Sequence, residues 1–285
     1  MTDRLSSCAA ASLLLPATAL LTVFLAIPAA YLFVDSFRPF DPFLGTIPDA
    51  WTTQNFTSIV TDSFIGEVLL RTIKISALTA LFSVLVGYPV AYYFVFHAKR
   101  SRALILFCVL SPLLISALVR TYGWLILLGR DGPVEHILVF AGLMSPGARL
   151  LQTDFSVILG MTHLFLAFVF LSLVAALNNI DGNVSRAARI LGAGPIRSFL
   201  HVTLPMSMNG VISGAILVFT LSTGAFITPV ILGGSRVRVM SYAIWEQFSV
   251  LNNYPAGAVL ALMLTVVVVI VVYASARLSK PTGER

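Results

Sequence analysis

The chain has 285 residues, of which 58% are hydrophobic and only 11% are charged, and its mean hydropathy is +0.94. Soluble domains carry about 25% charged residues, so this composition excludes an ordinary soluble protein, which needs polar side chains to cover its surface. A net charge of +6 would suggest nucleic-acid binding in a soluble protein. Here we expect no nucleic-acid partner, because the positive residues cluster in segments between apolar runs.

Cysteine, histidine and glycine-rich patterns indicate no cofactor site. Cys8 and Cys108 form no disulfide framework, and the four histidines lack the spacing of metal ligands. The sequence contains no Gly-x-x-x-x-Gly-Lys-Ser/Thr run and therefore no P-loop for ATP. We therefore expect no catalytic residue, no metal and no cofactor on this chain.

Six apolar runs are long enough to cross a bilayer, for which a helix needs about 20 residues. They lack the alternation of barrel strands, so they predict helices. The sequence therefore predicts an all-α integral membrane protein with six transmembrane helices. Its membrane domain is expected at 12–276, after a short N-terminal segment at 1–11 and before a tail at 277–285. The predicted spans are 12–34, 75–96, 103–128, 155–177, 210–233 and 256–276.

The first of these runs differs from a cleaved signal peptide. It is longer than the usual apolar core of such a peptide. It ends in Tyr31, Phe33 and Asp35 without a small-x-small cleavage site. We therefore expect this run to be retained as a membrane span.

Lysine and arginine residues predict the orientation of the spans, since cytoplasmic segments of membrane proteins are enriched in positive charge. With the N-terminus inside, ten positive residues lie in cytoplasmic segments and five in the opposite loops. We therefore expect a multi-pass protein of the bacterial inner membrane with both termini in the cytoplasm. The ten are Arg4, Lys99, Arg100, Arg102, Arg186, Arg189, Arg197, Arg277, Lys280 and Arg285; the five are Arg38, Arg130, Arg149, Arg236 and Arg238.

The segments on the opposite side are long. The segment 38–70 reads as a loop with one short amphipathic helix near 51–60. Two more loops are expected at 131–154 and 235–255, and the second of them carries a helix at 240–248. These segments either form a surface for a periplasmic partner or close the outer end of the helix bundle.

The longest predicted cytoplasmic loop, at 178–205, carries two helix signals. Asp181 or Ser185 can cap a helix near Arg186, because their side-chain oxygens accept hydrogen bonds from free backbone N–H groups. Pro195 can begin a second short helix at its first turn. From the residues alone, this loop is either a docking site for a soluble partner or a helical loop lying on lipid phosphates.

The loop resembles the cytoplasmic loop of permease subunits in binding-protein-dependent ABC importers. The family pattern is Glu-Ala-Ala, then a glycine, then an aliphatic-x-Leu-Pro ending, and Arg186 stands where the family has its glutamate. The resemblance implies that the loop docks on an ATPase and that its Leu-Pro ending redirects the chain into the fifth span. The predicted docking residues are Arg186, Ala187, Ala188, Gly192, Ala193, Pro195, Leu204 and Pro205.

Other runs resemble the spermidine/putrescine subfamily of these permeases. Residues 87–92 are similar to its Gly-Tyr-Pro-hydrophobic-Ala-Tyr segment, and 120–124 to its Arg-Thr-Tyr-x-Trp run. Residues 224–226 and 245–248 resemble its signatures in and after the fifth span. Ala225 is a departure, because several relatives carry an acidic residue there that would help to balance a cationic solute.

Aromatic and charged residues near these runs are candidates for the solute path, and most have a plainer alternative. Tyr88 and Tyr92 lie beside a Gly-Pro pair that can kink a helix near a cavity, or they pack in the core. Arg120 pairs near a span end or lines the path. Tyr122 and Trp124 are interface aromatics or part of an ammonium-binding box. The candidate path residues are Tyr88, Tyr92, Arg120, Tyr122, Trp124, Phe226 and Glu246.

The resemblance implies a type I ABC importer permease fold and a set of partners. These are two ABC ATPase subunits, which bind ATP and Mg, a second homologous permease with a heterodimer favoured, and a solute-binding protein. Membrane lipid would surround the helices. Polyamine is the expected solute, with ferric iron or an opine or amino-acid derivative as alternatives. An ion-coupled secondary transporter is the alternative of another class, although the spans contain almost none of the ionisable residues that bind a coupling ion.

Overall fold

A computed structural model of the chain describes residues 7–145, 147–181, 184 and 194–278. Helices dominate, which confirms the predicted all-α class, and the described residues add one two-stranded hairpin. In chain order the elements are α1 (Ser7–Asp35), β1 (Phe40–Asp41), β2 (Gly45–Thr46), α2 (Gln54–Thr61), α3 (Ser63–Phe96), α4 (Arg102–Leu114), α5 (Ala117–Leu127), α6 (Pro133–Phe140), α7 (Asp154–Asn178), α8 (Pro195–Ser198), a π-helical turn (Phe199–Thr203), α9 (Leu204–Met206), α10 (Met208–Thr223), a second π-helical turn (Pro229–Gly233), α11 (Met240–Ser249) and α12 (Tyr254–Leu278).

The apolar helices agree with a six-span architecture. In the described part of the chain, α1, α3, α7 and α12 are each long and apolar enough to cross a bilayer, and two bent helix pairs raise the number to six. The predicted spans at 155–177 and 256–276 lie inside α7 and α12. The predicted span at 75–96 forms the later part of α3, which begins twelve residues earlier, at Ser63.

The third predicted span, 103–128, is not a continuous helix. Helices α4 and α5 meet at an angle of 103°, and Ile115 and Ser116 between them have extended backbone. Pro112 in the last turn of α4 has no N–H, so the carbonyl of Cys108 loses its helical partner and accepts instead from the Ser111 hydroxyl at 3.3 Å. The prediction of an unbroken span failed because hydropathy records composition and not this break.

The fifth predicted span, 210–233, is also interrupted. Helix α10 ends at Thr223, and the chain turns before it resumes in the second π-helical turn. Pro229 at the start of that turn cannot donate a hydrogen bond to the preceding turn of helix, so it favours a break. The break contains residues 224–226, which the sequence comparison placed in a subfamily signature.

The chain divides into two compact units, and the first consists of residues up to Gly66 together with Ala243–Met263. In this unit Asn55 of α2 fixes the loop that follows α1, because its side-chain amide donates to the carbonyls of Ser36 (3.0 Å) and Arg38 (2.8 Å). The structure confirms the predicted short helix in this loop, at Gln54–Thr61.

The second unit comprises Glu67–Tyr242 and the residues from Leu264 onward, and α7 forms its core. Phe170, Leu173 and Leu177 of α7 are fully buried. A helix that is apolar on all sides, as α7 is, belongs in a protein core or in a membrane, and α7 is the most buried of the long apolar helices described. Its first turn is closed by a capping box, in which the Thr153 hydroxyl accepts from the Ser156 backbone N–H at 3.3 Å.

Helices α3 and α7 run in the same direction within this unit. At the start of α7, Asp154 pairs with Lys74 of α3 (Nζ–Oδ2 3.1 Å). Further along both helices, a side chain at Gly87 would contact Val169, and the Phe94 and Phe170 rings lie 5.3 Å apart. The end of α3 therefore lies at the same end of the unit as the end of α7, where the 178–205 loop begins.

Candidate functional site

The second half of the 178–205 loop is described from Gly194 onward. Pro195 occupies the first position of α8, where its missing N–H costs nothing, and Gly194 before it is extended. This confirms that a second short helix begins at Pro195. The predicted docking residues Arg186, Ala187, Ala188, Gly192 and Ala193 lie outside the described residues.

The chain changes direction into α10 just after the Leu204-Pro205 ending. Helical structure continues through both residues to Met206, and the chain bends by 62° only at Ser207. Pro205 follows the π-helical turn directly and lies two residues before the bend at Ser207. Leu204 packs against the core of the second unit, whereas Pro205 is exposed.

An apolar groove opens on the outside of this segment. Its volume is about 580 Å³, and Pro195, Ile196, Arg197, Leu200 and His201 line it. Ile196 is 74% exposed and Leu200 is 48% exposed. They lie four residues apart on a short helical segment, so their side chains share one face. The described residues thus place an apolar surface with a cationic neighbour in the second half of the loop.

Tyr88 and Tyr92 of α3 contact this same segment. Each ring meets the Phe199 ring edge to face, with centroids 5.5 Å apart in both pairs. The buried Tyr88 hydroxyl also hydrogen-bonds the Ser207 hydroxyl at 2.7 Å. The structure therefore brings these two candidates together around Phe199, which sequence reasoning did not select because the contact spans more than 100 residues.

Arg120 supports the break between α4 and α5. Its side chain is 9% exposed, and its Nη1 donates to the Pro112 carbonyl and to the Ile115 carbonyl at 3.5 Å. These carbonyls belong to the broken end of α4, where the last carbonyls of a helix lack partners within it. The guanidinium thus satisfies them, which agrees with the interpretation that Arg120 pairs with a carbonyl.

Trp124 lies one turn after Arg120 and contacts His163 of α7. The indole N–H donates to His163 Nδ1 at 3.1 Å. Since Nδ1 accepts this bond, the neutral ring carries its proton on Nε2. His163 also borders an apolar cavity of about 390 Å³, whose wall includes Cys108 and Pro112. Sequence reasoning missed His163, because an isolated histidine in an apolar helix matches no motif.

The remaining candidate path residues are scattered. Tyr122 of α5 is 55% exposed. Phe226 lies in the break after α10, where its carbonyl accepts from the Val230 N–H at 3.1 Å. Glu246 belongs to the first unit, and its carbonyl accepts from the Leu251 N–H at 3.0 Å at the end of α11. The candidates therefore do not form one cluster within the second unit.

A buried carboxylate in the loop between α5 and α7 was also missed by sequence reasoning. Glu135 of α6 is 7% exposed and accepts from the backbone N–H groups of Asp131 (2.9 Å) and Gly147 (2.8 Å). These bonds favour the ionised form, and the Gly147 bond contributes most, so the pKa of Glu135 lies below its usual value. The carboxylate thus joins the two ends of this loop.

The described residues offer no site for a metal ion. Within 7–145, 147–181, 184 and 194–278, no three His, Cys, Asp or Glu side chains come close enough to share one.

Comparisons with known proteins give the family of the chain. Residues 80–282 match the family described as "Binding-protein-dependent transport system inner membrane component". The chain is 31% identical over 229 residues to the spermidine/putrescine transport system permease protein PotB of Haemophilus influenzae, which covers 80% of each chain. The protein of the same name from Escherichia coli is 29% identical over 217 residues, or 76% of this chain and 78% of that one.

A solved structure shows the same fold at low sequence identity. It is a bacterial ABC transporter involved in the import of the acidic polysaccharide alginate, with a TM-score of 0.75 and 17% identity, and the match covers 96% of this chain and 95% of that one. At this identity the likeness concerns the fold alone. The chain belongs to the family of binding-protein-dependent transport system inner membrane components, the permease subunits of ABC importers.

Proposed function

We propose that this chain forms half of the translocation path of a polyamine importer and that the loop at 178–205 docks on an ABC ATPase. The observation that carries the docking proposal is the exposed apolar groove of Ile196 and Leu200 in the second half of that loop. The polyamine proposal draws its support from the spermidine/putrescine permeases that match about four-fifths of the chain. ATP and Mg bind to the ATPase partners and not to this chain.

The groove has the composition of a docking surface. Protein interfaces combine an apolar centre with a polar rim, and arginine is enriched in them. Ile196 and Leu200 supply the centre, and the exposed Arg197 and His201 lie beside them. A partner that covers this groove would remove the two aliphatic side chains from water. The predicted docking residues from Arg186 to Ala193 would extend the same surface.

The charge of the chain supports a heterodimer of two different permeases. None of the six predicted spans contains Asp or Glu, whereas the third contains Arg120. Two copies of this chain would therefore bring no span carboxylate to balance the charge of a polycation. A second, non-identical permease would supply the missing carboxylates. A solute-binding protein would deliver the polyamine to the loops opposite the ATPases.

The proposed cycle follows from these contacts. The loaded binding protein docks on the outer loops, ATP brings the two ATPases together, and the docked segment moves with them. That movement opens the path outward, and hydrolysis reverses it. ATP can shift the permease between its inward-open and outward-open states only if the ATP-bound ATPases bind one of these states more tightly. In this proposal, the contact between the ATPases and the docking groove differs between the two states.

Affinity purification of the tagged chain from mildly solubilised inner membranes tests the docking proposal. The wild-type chain is expected to recover an ATPase and a second permease. Replacing both Ile196 and Leu200 by Glu is expected to lose the ATPase and keep the second permease, because two charges cannot enter an apolar interface unpaired. Phe140→Glu is the matched control. Phe140 is 95% exposed and lies in the loop before the first residue of α7, whereas the docking loop follows the last residue of α7. Equal ATPase recovery from the double variant and the control would refute the docking proposal.

Uptake measurements test the solute. Cells that carry the intact transport system are expected to accumulate labelled spermidine or putrescine, and cells lacking this chain are not. Uptake that survives an uncoupler while ATP remains high would agree with ATP-driven transport. Loss of uptake under that condition would favour ion coupling. ATPase recovery without any polyamine uptake would keep the permease role and refute the polyamine.

A further inference from the structure

We propose that Phe199, held between Tyr88 and Tyr92, is the joint through which movement of the docked segment reaches α3. This inference rests on the proposed ATPase docking of the 178–205 loop. It gives the two tyrosines, which the sequence placed among candidates for the solute path, a positioning role instead. The joint consists of Phe199, Ser207, Tyr88 and Tyr92.

The two tyrosines hold Phe199 from one side of the second unit. Both belong to α3 and lie four residues apart, so they share one face of that helix. Their rings each meet the Phe199 ring edge to face, at centroid distances of 5.5 Å and interplanar angles of 85° and 89°. Such a contact has a preferred geometry, so displacement of Phe199 applies force to both rings.

A second contact fixes the far end of the same segment. Ser207 is fully buried, and its hydroxyl bonds the Tyr88 hydroxyl at 2.7 Å. Ser207 is also the residue at which the chain bends by 62° into α10. Tyr88 therefore contacts both ends of the stretch from Phe199 to Ser207, with its ring at one end and its hydroxyl at the other.

The backbone between these contacts is a π-helical turn. The turn at Phe199–Thr203 interrupts the α-helical hydrogen bonding between α8 and α9. Such turns often occur at functional sites, because they differ from the α-helix by a small local change in hydrogen bonding. The outer groove residues Ile196 and Leu200 flank Phe199 on the same short segment. A displacement of Ile196 and Leu200 by a docked partner would therefore displace Phe199, which lies within one helical turn of both.

Hydrogen exchange on the purified ATPase–permease complex tests this joint, without any need for the solute. Exchange is compared between the nucleotide-free complex and the complex trapped with ATP and vanadate. In the wild type we expect trapping to change exchange by about fivefold or more, the lower end of usual coupling factors, in both the Pro195–Met206 segment and the α3 peptide containing Tyr88. In Phe199→Leu we expect the Pro195–Met206 response to remain and the α3 response to disappear.

Conservative variants separate a joint from general packing. Tyr88→Phe keeps the ring and removes only the bond to Ser207, so it is expected to reduce the α3 response while the ATPase still co-purifies. Tyr93→Phe is the control, because Tyr93 lies on the same helix but is 51% exposed and is not part of the joint. Its responses are expected to match those of the wild type.

The outcomes distinguish this inference from the proposed docking. An α3 response that persists in Phe199→Leu, or that is absent in the wild type while Pro195–Met206 responds, overturns the joint and leaves the docking intact. Absence of any response in Pro195–Met206 of the wild-type complex overturns both. A Phe199→Leu complex that loses the Pro195–Met206 response while retaining its ATPase also overturns the joint. In that case the substitution would disturb the docked segment itself and not the transfer of its movement to α3.

Discussion

Substituting Gly210 by Ala tests the packing on which the second unit depends. Gly210 lies in α10 and faces α7, where a Cβ atom would come within 2.4 Å of the Ala176 Cβ and 3.1 Å of the Ser172 carbonyl oxygen. Small residues spaced four apart allow membrane helices to approach closely, and Gly214 of α10 continues this face with a Cβ position 3.2 Å from Ser172. We expect the substitution to force the two helices apart.

The magnitude follows from these distances. Carbon atoms in contact normally lie about 3.5–4.0 Å apart, so the helices must separate locally by about 1 Å or more. The bond from the Ser172 hydroxyl to the Gly210 carbonyl, now 3.0 Å, would lengthen to about 4 Å and be lost. Overpacking costs about 1–3 kcal/mol, and helix propensity returns up to about 1 kcal/mol for Gly→Ala. With the lost bond included, we expect a net destabilisation of about 1–3 kcal/mol.

The assay is the apparent melting temperature of the detergent-purified chain with its partners. At roughly 2–4 °C per kcal/mol, Gly210→Ala is expected to lower it by about 2–12 °C. Gly123→Ala is the matched control, because a Cβ there meets nothing within 4 Å, and we expect it to leave the melting temperature unchanged or slightly higher. Adding Ala176→Gly to Gly210→Ala removes the closest contact and should restore at least half of the loss. Equal melting temperatures for Gly210→Ala and Gly123→Ala would refute the reasoning.

Two further substitutions test single polar contacts. The Glu135 carboxylate has a lowered pKa, so its bonds to the Asp131 and Gly147 N–H groups are expected to hold the loop at neutral pH, above the unfolded pKa of about 4.3, and to weaken as the pH falls through the folded pKa. Glu135→Gln should therefore speed amide exchange at Asp131 and Gly147 at pH 7, and the difference from wild type should vanish in acid; a difference that persists would contradict this. Arg120→Met should lower stability by about 1–3 kcal/mol in thermal unfolding, because the Pro112 carbonyl loses its donor, and Arg120→Gln should recover part of it; equal stability of Arg120→Met and wild type would contradict this.

The sequence predicted the architecture because a bilayer imposes simple rules on composition. A span needs about 20 apolar residues. In lipid, a segment that is not part of a closed β-barrel can satisfy its backbone hydrogen bonds only as a helix. These rules located the helices that became α1, α7 and α12. The loop pattern ending at Pro205 identified the family independently of hydropathy, because it is a pattern of particular residue types at fixed spacing and not an average of composition.

Hydropathy could not show where helices break. The predicted span at 103–128 is uniformly apolar apart from Arg120, yet α4 and α5 meet at 103°. At the break, the carbonyls of Pro112 and Ile115 accept hydrogen bonds from the Arg120 side chain of α5. A window that averages composition cannot represent a bond between a carbonyl and a guanidinium eight residues away.

The roles of individual aromatic residues depended on contacts between distant parts of the chain. The residues around Tyr88 and Tyr92 identified a subfamily run, but their neighbour Phe199 comes more than 100 residues later. Composition therefore determined that the chain spans a membrane as helices, and a local pattern determined its family. Only the tertiary structure decided which side chains meet, because packing joins surfaces by shape and not by order along the chain.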